Sequence, residues 1–327
     1  MGHSGITYPA ALNADTRKWL TGLLGADGVR FDEPMSGHTW FKVGGPAEAF
    51  ASPESVDLIA AVVSESTSRG IPLTVVGGGT NLLVTDDGIP GIVLTLSRCL
   101  NRMAVTGTEG EKTIVTAMAG AKLPVLCRMA VERGLAGMNF AIGIPGSVGG
   151  AVMMNAGTAI GCMGDVVANA TILTGAGDIS VVAAEKIRFS YRRFAMKEKH
   201  FDEGASASPM ILGVNISLTP SDPEALAKEA SALLKARQEK QPLHLPSAGC
   251  FFRNPPEGGP AGMLIDKAGL KGTRIGDAEV SDLHANFIVN RGRATAADIL
   301  RLAVLVENTV ADKFGVALER EVRIVGC

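Results

Sequence analysis

Two short glycine-rich segments of this 327-residue chain restrict the possible folds more than any other property of the sequence. The first segment, VVGGGTNLLV, follows a β-branched run and leads into a second predicted strand. A Rossmann fingerprint would open a helix instead, and a P-loop would need a Lys followed by Ser or Thr. The segment is therefore either a tight turn or a loop whose backbone N–H groups face an anion. Its candidate binding residues are Gly77, Gly78, Gly79, Thr80, Asn81 and Leu82.

The second segment, GIPGSVGGAVMMNAG at 143–157, is dense in glycine and small polar residues. Such a backbone can lie flat against a ring or a pyrophosphate, with Ser147 and Asn155 hydrogen-bonding phosphate oxygens. The alternative is a set of small residues that allows close helix packing. Two such segments in one chain favour a large phosphorylated cofactor. The candidate residues here are Gly143, Ile144, Pro145, Gly146, Ser147, Gly149, Gly150, Asn155, Ala156 and Gly157.

Composition and charge exclude several other classes of protein. The chain has 31 Lys and Arg against 33 Asp and Glu, and only 5% aromatic residues, so neither phosphate neutralisation nor base stacking points to a nucleic-acid partner. Five widely spaced cysteines without a CxxC pair, and no HExxH motif, predict neither disulfides nor a metal site. No apolar run is long enough for a membrane span, and no signal peptide is evident. We expect a cytoplasmic monomer that acts on a small molecule and has no membrane partner.

The predicted elements alternate between strands and helices, which indicates an α+β chain. Helices are expected at 123–133 and 223–240, and a third follows the capping box Thr295-x-x-Asp298 and ends at Gly315. Another begins at the Ser52-Pro53-Glu54 cap, and the charged stretch 191–204 is expected to be irregular. Boundaries near Arg98 and Ser221 divide the chain into domains at 1–97, 98–221 and 222–327.

Three side chains are candidates for chemistry, each with an ordinary alternative. Arg192 could polarise a carbonyl or stabilise an enolate, because its charge persists at any working pH, or it could be one of a pair of surface arginines. Cys250 could be a general acid, since an ordinary thiol pKa of about 8.5 lies near neutrality, or a small core residue. Glu321 could be a catalytic carboxylate or a salt-bridge partner. Arg237 and Lys240 lie one turn apart and could hold a diphosphate or complement a helix dipole.

Taken in order, these segments resemble the UDP-N-acetylenolpyruvoylglucosamine reductase family, the UDP-N-acetylmuramate dehydrogenases of peptidoglycan synthesis. The resemblance implies an α+β fold of three domains. Two of them form a vanillyl-alcohol-oxidase-type FAD-binding fold, and the C-terminal α+β domain binds substrate. The matching segments are TWFKVGG (39–45), GGGTNLL (77–83), GIPGSVGGAVMMNAG (143–157), YR (191–192), RQEKQP (237–242), SAGCFFRNP (247–255), AGMLID (261–266) and EVR (321–323).

The resemblance also implies a reaction and assigns roles to residues. NADPH reduces the bound FAD, and flavin N5 then delivers hydride to the vinyl carbon of UDP-N-acetylglucosamine enolpyruvate, which gives UDP-N-acetylmuramate. Arg192 and Glu321 stabilise the enolate-like intermediate, and Cys250 donates the proton. Many members carry serine at that position, and a thiol remains a sensible donor there. The chain lacks the extra tyrosine-bearing loop of the longer family form, so its substrate is held differently. The implied substrate-binding residues are Tyr191, Arg237, Lys240 and Asn254.

Two other functions stay open at the level of sequence. One is a non-covalent FAD-dependent oxidase of the same superfamily, which would leave the motifs around Cys250 and Glu321 unexplained. The other is a flavin- or nucleotide-sugar-binding protein without turnover, for which three ordered catalytic candidates would be unnecessary. The resemblance to the reductase family implies that the protein contributes, through cell-wall synthesis, to cell shape and division.

Overall fold

A computed structural model describes residues 12–197 and 209–326, and it is a mixed arrangement of helices and sheets, as predicted. The helices are α1 Ala14–Leu24, α2 Val56–Ser68, α3 Leu123–Glu132, α4 Val148–Met153, α5 Pro223–Lys240, α6 Ala261–Lys267 and α7 Ala296–Phe314. The strands are β1 Val29–Pro34, β2 Pro46–Ala51, β3 Leu73–Val76, β4 Leu82–Val84, β5 Ile89–Thr95, β6 Met103–Glu109, β7 Lys112–Met118, β8 Leu135–Ala136, β9 Gly157–Thr158, β10 Gly161–Cys162, β11 Val167–Leu173, β12 Ile179–Ala183, β13 Ile187–Ser190, β14 Arg193–Met196, β15 Met210–Pro220, β16 Arg274–Ile275, β17 Ala278–Val280, β18 Ile288–Asn290 and β19 Arg323–Val325.

The first sheet has the strand order β1-β2-β5-β3, and its last three strands are parallel. Parallel strands need a crossover connection, and α2 connects β2 to β3, which lie on either side of β5. Its apolar residues Ile59, Val62 and Val63 are buried in the core that it shares with β5. The first glycine segment begins where β3 ends, at Val76, so this sheet fixes its position.

The second sheet is antiparallel, with the order β12-β11-β15-β7-β6 and β8 pairing with the far end of β15. The short helix α4 packs against β15 and β7. The second glycine segment runs through α4, and this sheet therefore supports it.

The C-terminal part combines the sheet β16-β17-β18 with α6 and α7. The helical repeat places four apolar residues of α7 on one buried face, namely Ile299, Leu302, Val306 and Val310. The core around this face includes Phe41 from the N-terminal part. In addition, β19 pairs in parallel with β4, so the chain returns to its first third before it ends.

Several sequence predictions are confirmed and others are wrong. Helix α5 has the predicted bounds, and α7 has the predicted capping box and a left-handed Gly315. The stretch expected to be irregular contains β14, which forms a hairpin with β13; its part at 198–204 lies outside the described residues. The N-cap of α2 is Ser55 rather than Ser52. The domain boundaries stay a prediction, and α5, placed there in the third domain, packs against α3.

Candidate active site

The two glycine segments, which come from different sheets, touch each other. A Cβ on Gly78 would lie 2.8 Å from the Cα of Gly146, and a Cβ on Gly77 would collide with the hydroxyl of Ser147. Only glycine permits this approach of two backbones. The structure therefore brings the two predicted cofactor-binding segments together into one surface.

A cavity of about 330 Å³ opens beside the first segment. Arg30 and Lys42 contribute cationic side chains to its lining, next to the backbone of Gly77 and Gly78. Sequence reasoning assigned no role to these cations, although Lys42 lies in the quoted motif TWFKVGG. The remaining lining residues are Gly37, His38, Thr39, Trp40, Phe50, Ser52, Val76, Thr95 and Ser97.

The second segment is partly helical, because residues 148–153 form α4. Ser147 is the N-cap of α4, and its hydroxyl accepts a hydrogen bond from the Gly150 N–H at 3.2 Å. A Cβ on Gly149 would lie 2.8 Å from the Cβ of Ala119, so close packing on the sheet accounts for this glycine. The cofactor contacts of Ser147 and Gly149 stay predictions.

Asn155 makes two bonds to backbone groups of the protein. Its Nδ2 donates to the carbonyl of Ser190 at 3.0 Å, and its Oδ1 accepts from the Gly164 N–H at 2.9 Å. Since Ser190 ends β13, this amide holds the hairpin turn that carries Arg192. A phosphate contact of Asn155 remains a prediction.

Arg192 and Glu321 form an ion pair across 129 positions of sequence. Arg192 Nε donates to Glu321 Oε1 at 2.6 Å, and its terminal nitrogen donates to the carbonyl of Gly157 at 3.3 Å. Both side chains are largely buried, with exposed fractions of 21% and 13%. The guanidinium is thus fixed against the end of the second glycine segment. The sequence predicted that Glu321 could be a salt-bridge partner, and its partner is Arg192, the candidate catalytic arginine.

Cys250 lies close enough to this ion pair for both charges to affect the pKa of its thiol. Burial raises the pKa of its thiol to about 12; the Glu321 carboxylate raises it further, and Arg192 and Arg237 oppose the shift. A value near 8.5, as expected from an ordinary thiol, is therefore wrong, because the sequence did not reveal the burial. At neutral pH the thiol keeps its proton, which is the state that a proton donor needs.

The four predicted substrate-binding residues differ in their positions. Arg237 packs against Gly143 and faces Cys250, and burial lowers its pKa from the ordinary arginine value. Tyr191 is half exposed, with its ring centre 5.1 Å from the guanidinium carbon of Arg192. Asn254 Oδ1 accepts from the Ala261 N–H at 3.1 Å at the start of α6, and Lys240 is exposed at the end of α5. The structure thus places two of the four beside the ion pair.

Sequence reasoning missed the second role of Asn81. Its side-chain Nδ2 donates to the carbonyl of Glu321 at 3.1 Å, and its own carbonyl accepts from the Arg323 N–H at 3.0 Å. The first glycine segment therefore anchors the backbone of Glu321. The partner lies 240 positions away, so no local pattern could have indicated this contact.

Within the described ranges, two kinds of site are not found. No group of three or more His, Cys, Asp or Glu side chains could hold a metal ion. No helix there is long and apolar enough to cross a membrane.

Comparisons with known proteins agree with this geometry. Residues 47–183 match a family model described as an FAD binding domain, and residues 241–325 match UDP-N-acetylenolpyruvoylglucosamine reductase, C-terminal domain. Proteins named UDP-N-acetylenolpyruvoylglucosamine reductase from Desulfosudis oleivorans and Agathobacter rectalis are 48% and 41% identical; the alignments cover 95% and 96% of this chain and 98% and 99% of theirs. The crystal structure of the reductase from Thermus caldophilus is 33% identical, with a TM-score of 0.73 over 90% of this chain and 97% of that one.

The joined glycine segments, the FAD binding domain and the C-terminal domain define an FAD-dependent oxidoreductase. Because identity to the named relatives extends over nearly the whole chain, we assign it more narrowly. The chain belongs to the UDP-N-acetylenolpyruvoylglucosamine reductase family.

Proposed function

We propose that this protein reduces UDP-N-acetylglucosamine enolpyruvate to UDP-N-acetylmuramate, with NADPH as the hydride donor. The observation that carries the proposal is the cluster of Arg192, Glu321 and Cys250 beside the two glycine segments. A fixed cation and a protonated acid at one place suit a reaction that develops negative charge on substrate and then protonates it.

The residues present fit FAD on chemical grounds. The backbone of Gly77 and Gly78 borders a cavity to which Arg30 and Lys42 bring positive charge, as a diphosphate requires. The second segment meets the first at Gly146, so one extended ligand can contact both. Residues of both segments would hold the cofactor. When bound, FAD supplies the hydride chemistry, accepting hydride from NADPH and passing it to the vinyl carbon of the substrate.

After hydride transfer, side chains of this protein stabilise the negative charge on the substrate and supply the proton that neutralises it. As the terminal vinyl carbon gains hydride, negative charge develops on the carbon that bears the carboxylate. Arg192 stabilises this charge, and Glu321 keeps the guanidinium in place through the 2.6 Å bond to Nε. The Cys250 thiol then gives its proton to the charged carbon, and the thiolate regains a proton from solvent.

Substrate binding involves the cations and polar groups around this cluster. Arg237 lies between the second glycine segment and Cys250, where it can pair with an anionic group of the substrate. The Arg192 guanidinium lies over the ring of Tyr191, and Tyr191 is half exposed, so it can contact a ligand. Arg253, three positions after Cys250, has a buried Nε without a hydrogen-bond partner among the described residues, which suits a polar ligand. Lys240 and Asn254 complete the proposed set.

An anaerobic titration followed by absorbance tests the proposal. NADPH should bleach the flavin band of the purified protein, and the enolpyruvyl sugar nucleotide should restore it without oxygen. Restoration by oxygen alone, with indifference to the sugar nucleotide, would favour an oxidase. Failure to bind FAD after reconstitution would contradict the proposal as a whole. The monomeric state and the cytoplasmic location are further predictions, to be checked by sedimentation and by fractionation.

A further inference from the structure

Asn286 makes bonds that its place in the sequence does not suggest. The residue is 3% exposed. Its side-chain Oδ1 accepts from the Phe252 N–H at 2.9 Å, its Nδ2 donates to the Phe252 carbonyl at 2.8 Å, and its backbone carbonyl accepts from the Phe251 N–H at 2.7 Å. One asparagine therefore bonds three polar groups of the backbone that follows Cys250, namely the Phe251 N–H and both polar groups of Phe252.

The opposite edge of the same backbone binds the segment that carries Glu321. The Glu321 N–H donates to the Phe251 carbonyl at 2.8 Å, and the Arg253 N–H donates to the Glu319 carbonyl at 2.8 Å. Phe252 and Arg320 form an isolated antiparallel bridge. The backbone at 251–253 thus lies between Asn286 on one side and 319–321 on the other.

We propose that Asn286 is a positioning residue that fixes the relative placement of the Cys250 thiol and the Glu321 carboxylate. The inference rests on the proposed function, since it concerns the step that protonates the substrate. The side-chain hydrogen bonds of Asn286 go to the Phe252 backbone and not to Cys250 or Glu321. It acts by holding the one stretch of backbone to which both residues are attached.

The primary amide is suited to this task because it is a donor and an acceptor in one plane. Aspartate at this position would keep an acceptor for the Phe252 N–H but would turn a second oxygen toward the Phe252 carbonyl. Alanine would leave both buried groups without a partner. In either case the backbone shifts to find new bonds, and a displacement of about 1 Å of a catalytic group can cost about 100-fold in rate.

The consequence is specific to protonation. Hydride transfer from NADPH to the flavin involves neither Cys250 nor Glu321, so it should continue when their placement loosens. Protonation by a displaced thiol becomes slow, and solvent then reaches the charged carbon from either face. The product would contain both epimers at the new stereocentre.

The test uses the FAD-loaded variants Asn286→Ala and Asn286→Asp. Reduction by NADPH should stay within about twofold of the unaltered enzyme, and reoxidation by the enolpyruvyl sugar nucleotide should slow about 10- to 100-fold. Proton NMR of the product should show two epimers instead of one. If both variants fail to fold with FAD, Asn286 supports the fold alone and the proposal is overturned.

Asn290→Asp is the matched control. Asn290 is 2% exposed, and its amide also bonds only backbone, namely the Phe41 carbonyl at 2.9 Å and the N–H groups of Gly292 and Ala294. This variant should lose stability but give a single epimer. If Asn286→Ala behaves like the control, the positioning role is refuted. If the unaltered enzyme is not reoxidised by the sugar nucleotide, the proposed function itself fails, which is a separate result.

Discussion

The backbone at Arg192 has a φ of +57°, in the left-handed region that non-glycine residues rarely adopt. Such strain persists only where surrounding bonds hold it. Here Asn155 fixes the preceding Ser190 carbonyl, and the guanidinium itself is bonded to Glu321 and Gly157. We interpret the strained turn as the means by which a hairpin aims one cation at the candidate active site.

Replacing Arg192 with alanine should therefore affect one half-reaction much more than the other. Reoxidation by the enolpyruvyl sugar nucleotide should slow by about 100- to 1,000-fold, because the charge that stabilises the intermediate is gone. Reduction by NADPH should change little. Stopped-flow absorbance separates the two rates, and Arg188→Ala, an exposed arginine on the same hairpin, is the control. Equal slowing of both half-reactions would contradict the assignment of Arg192 to the second step.

The pH dependence of Cys250 follows from its burial. With a thiol pKa of about 12, the proton donor stays protonated from pH 7 to about pH 10. The rate of substrate-dependent reoxidation should therefore show no loss centred near pH 8.5, and Cys250→Ser should keep both activity and profile. Cys250→Ala should lose about 100-fold or more. An alkaline loss near pH 8.5 that the serine variant abolishes would show that the thiol titrates at its ordinary value.

For single residues, the sequence indicated which side chains could be catalytic but not what surrounds them. Arg192, Cys250 and Glu321 stood out because charged or reactive side chains occurred in matched motifs. The elevated pKa of Cys250 and the bonds of Asn286 could not be predicted, since both depend on segments brought together by tertiary structure. Asn286 lies 34 positions from the backbone that it holds.

Among the elements, those with strong local signals were predicted and those with mixed signals were not. Helix α5 follows Asp222 as N-cap and a proline in its first turn, and its predicted bounds are confirmed. The prediction for α2 placed the cap too early, because Ser52 still donates its N–H to the Gly28 carbonyl beyond the end of β2. The sequence did not predict helix α4, because its glycines lower helix propensity. The same glycines permit its close packing on the sheet.

The N-terminus of α7 has a second cap from a distant part of the chain, and we expect this cap to contribute to stability. Asp86, just after β4, accepts from the N–H groups of Ala296 and Ala297, both at 2.9 Å. Asp86→Ala should lower the free energy of unfolding by about 0.5 to 2 kcal/mol, because these donors lose their partner. Urea denaturation measures the change, and Asp87→Ala, its exposed neighbour, should be close to neutral. Equal effects of the two substitutions would argue against the cap.

For the whole molecule, the main unpredicted feature is the return of the chain to its beginning. Strand β19 pairs with β4, and nothing local in the sequence indicated this pairing. The same return places Phe41, Val43 and Leu83 in the core around α7. Because first and last thirds share a core and a strand pair, we expect them to unfold together.

FAD should stabilise the whole molecule, because its predicted binding surface joins two sheets at Gly78 and Gly146. A ligand that binds only the folded state, present at 100 times its dissociation constant, adds about 2.7 kcal/mol to the free energy of unfolding. Urea denaturation with and without FAD should show this increment. Gly78→Val should reduce it strongly, because a Cβ there would lie 2.8 Å from the Gly146 backbone and force the segments apart. Gly107→Val is the control, since a Cβ at Gly107 on β6 meets nothing within 4 Å. An undiminished FAD increment in Gly78→Val would show that the cofactor does not depend on contact between the two segments.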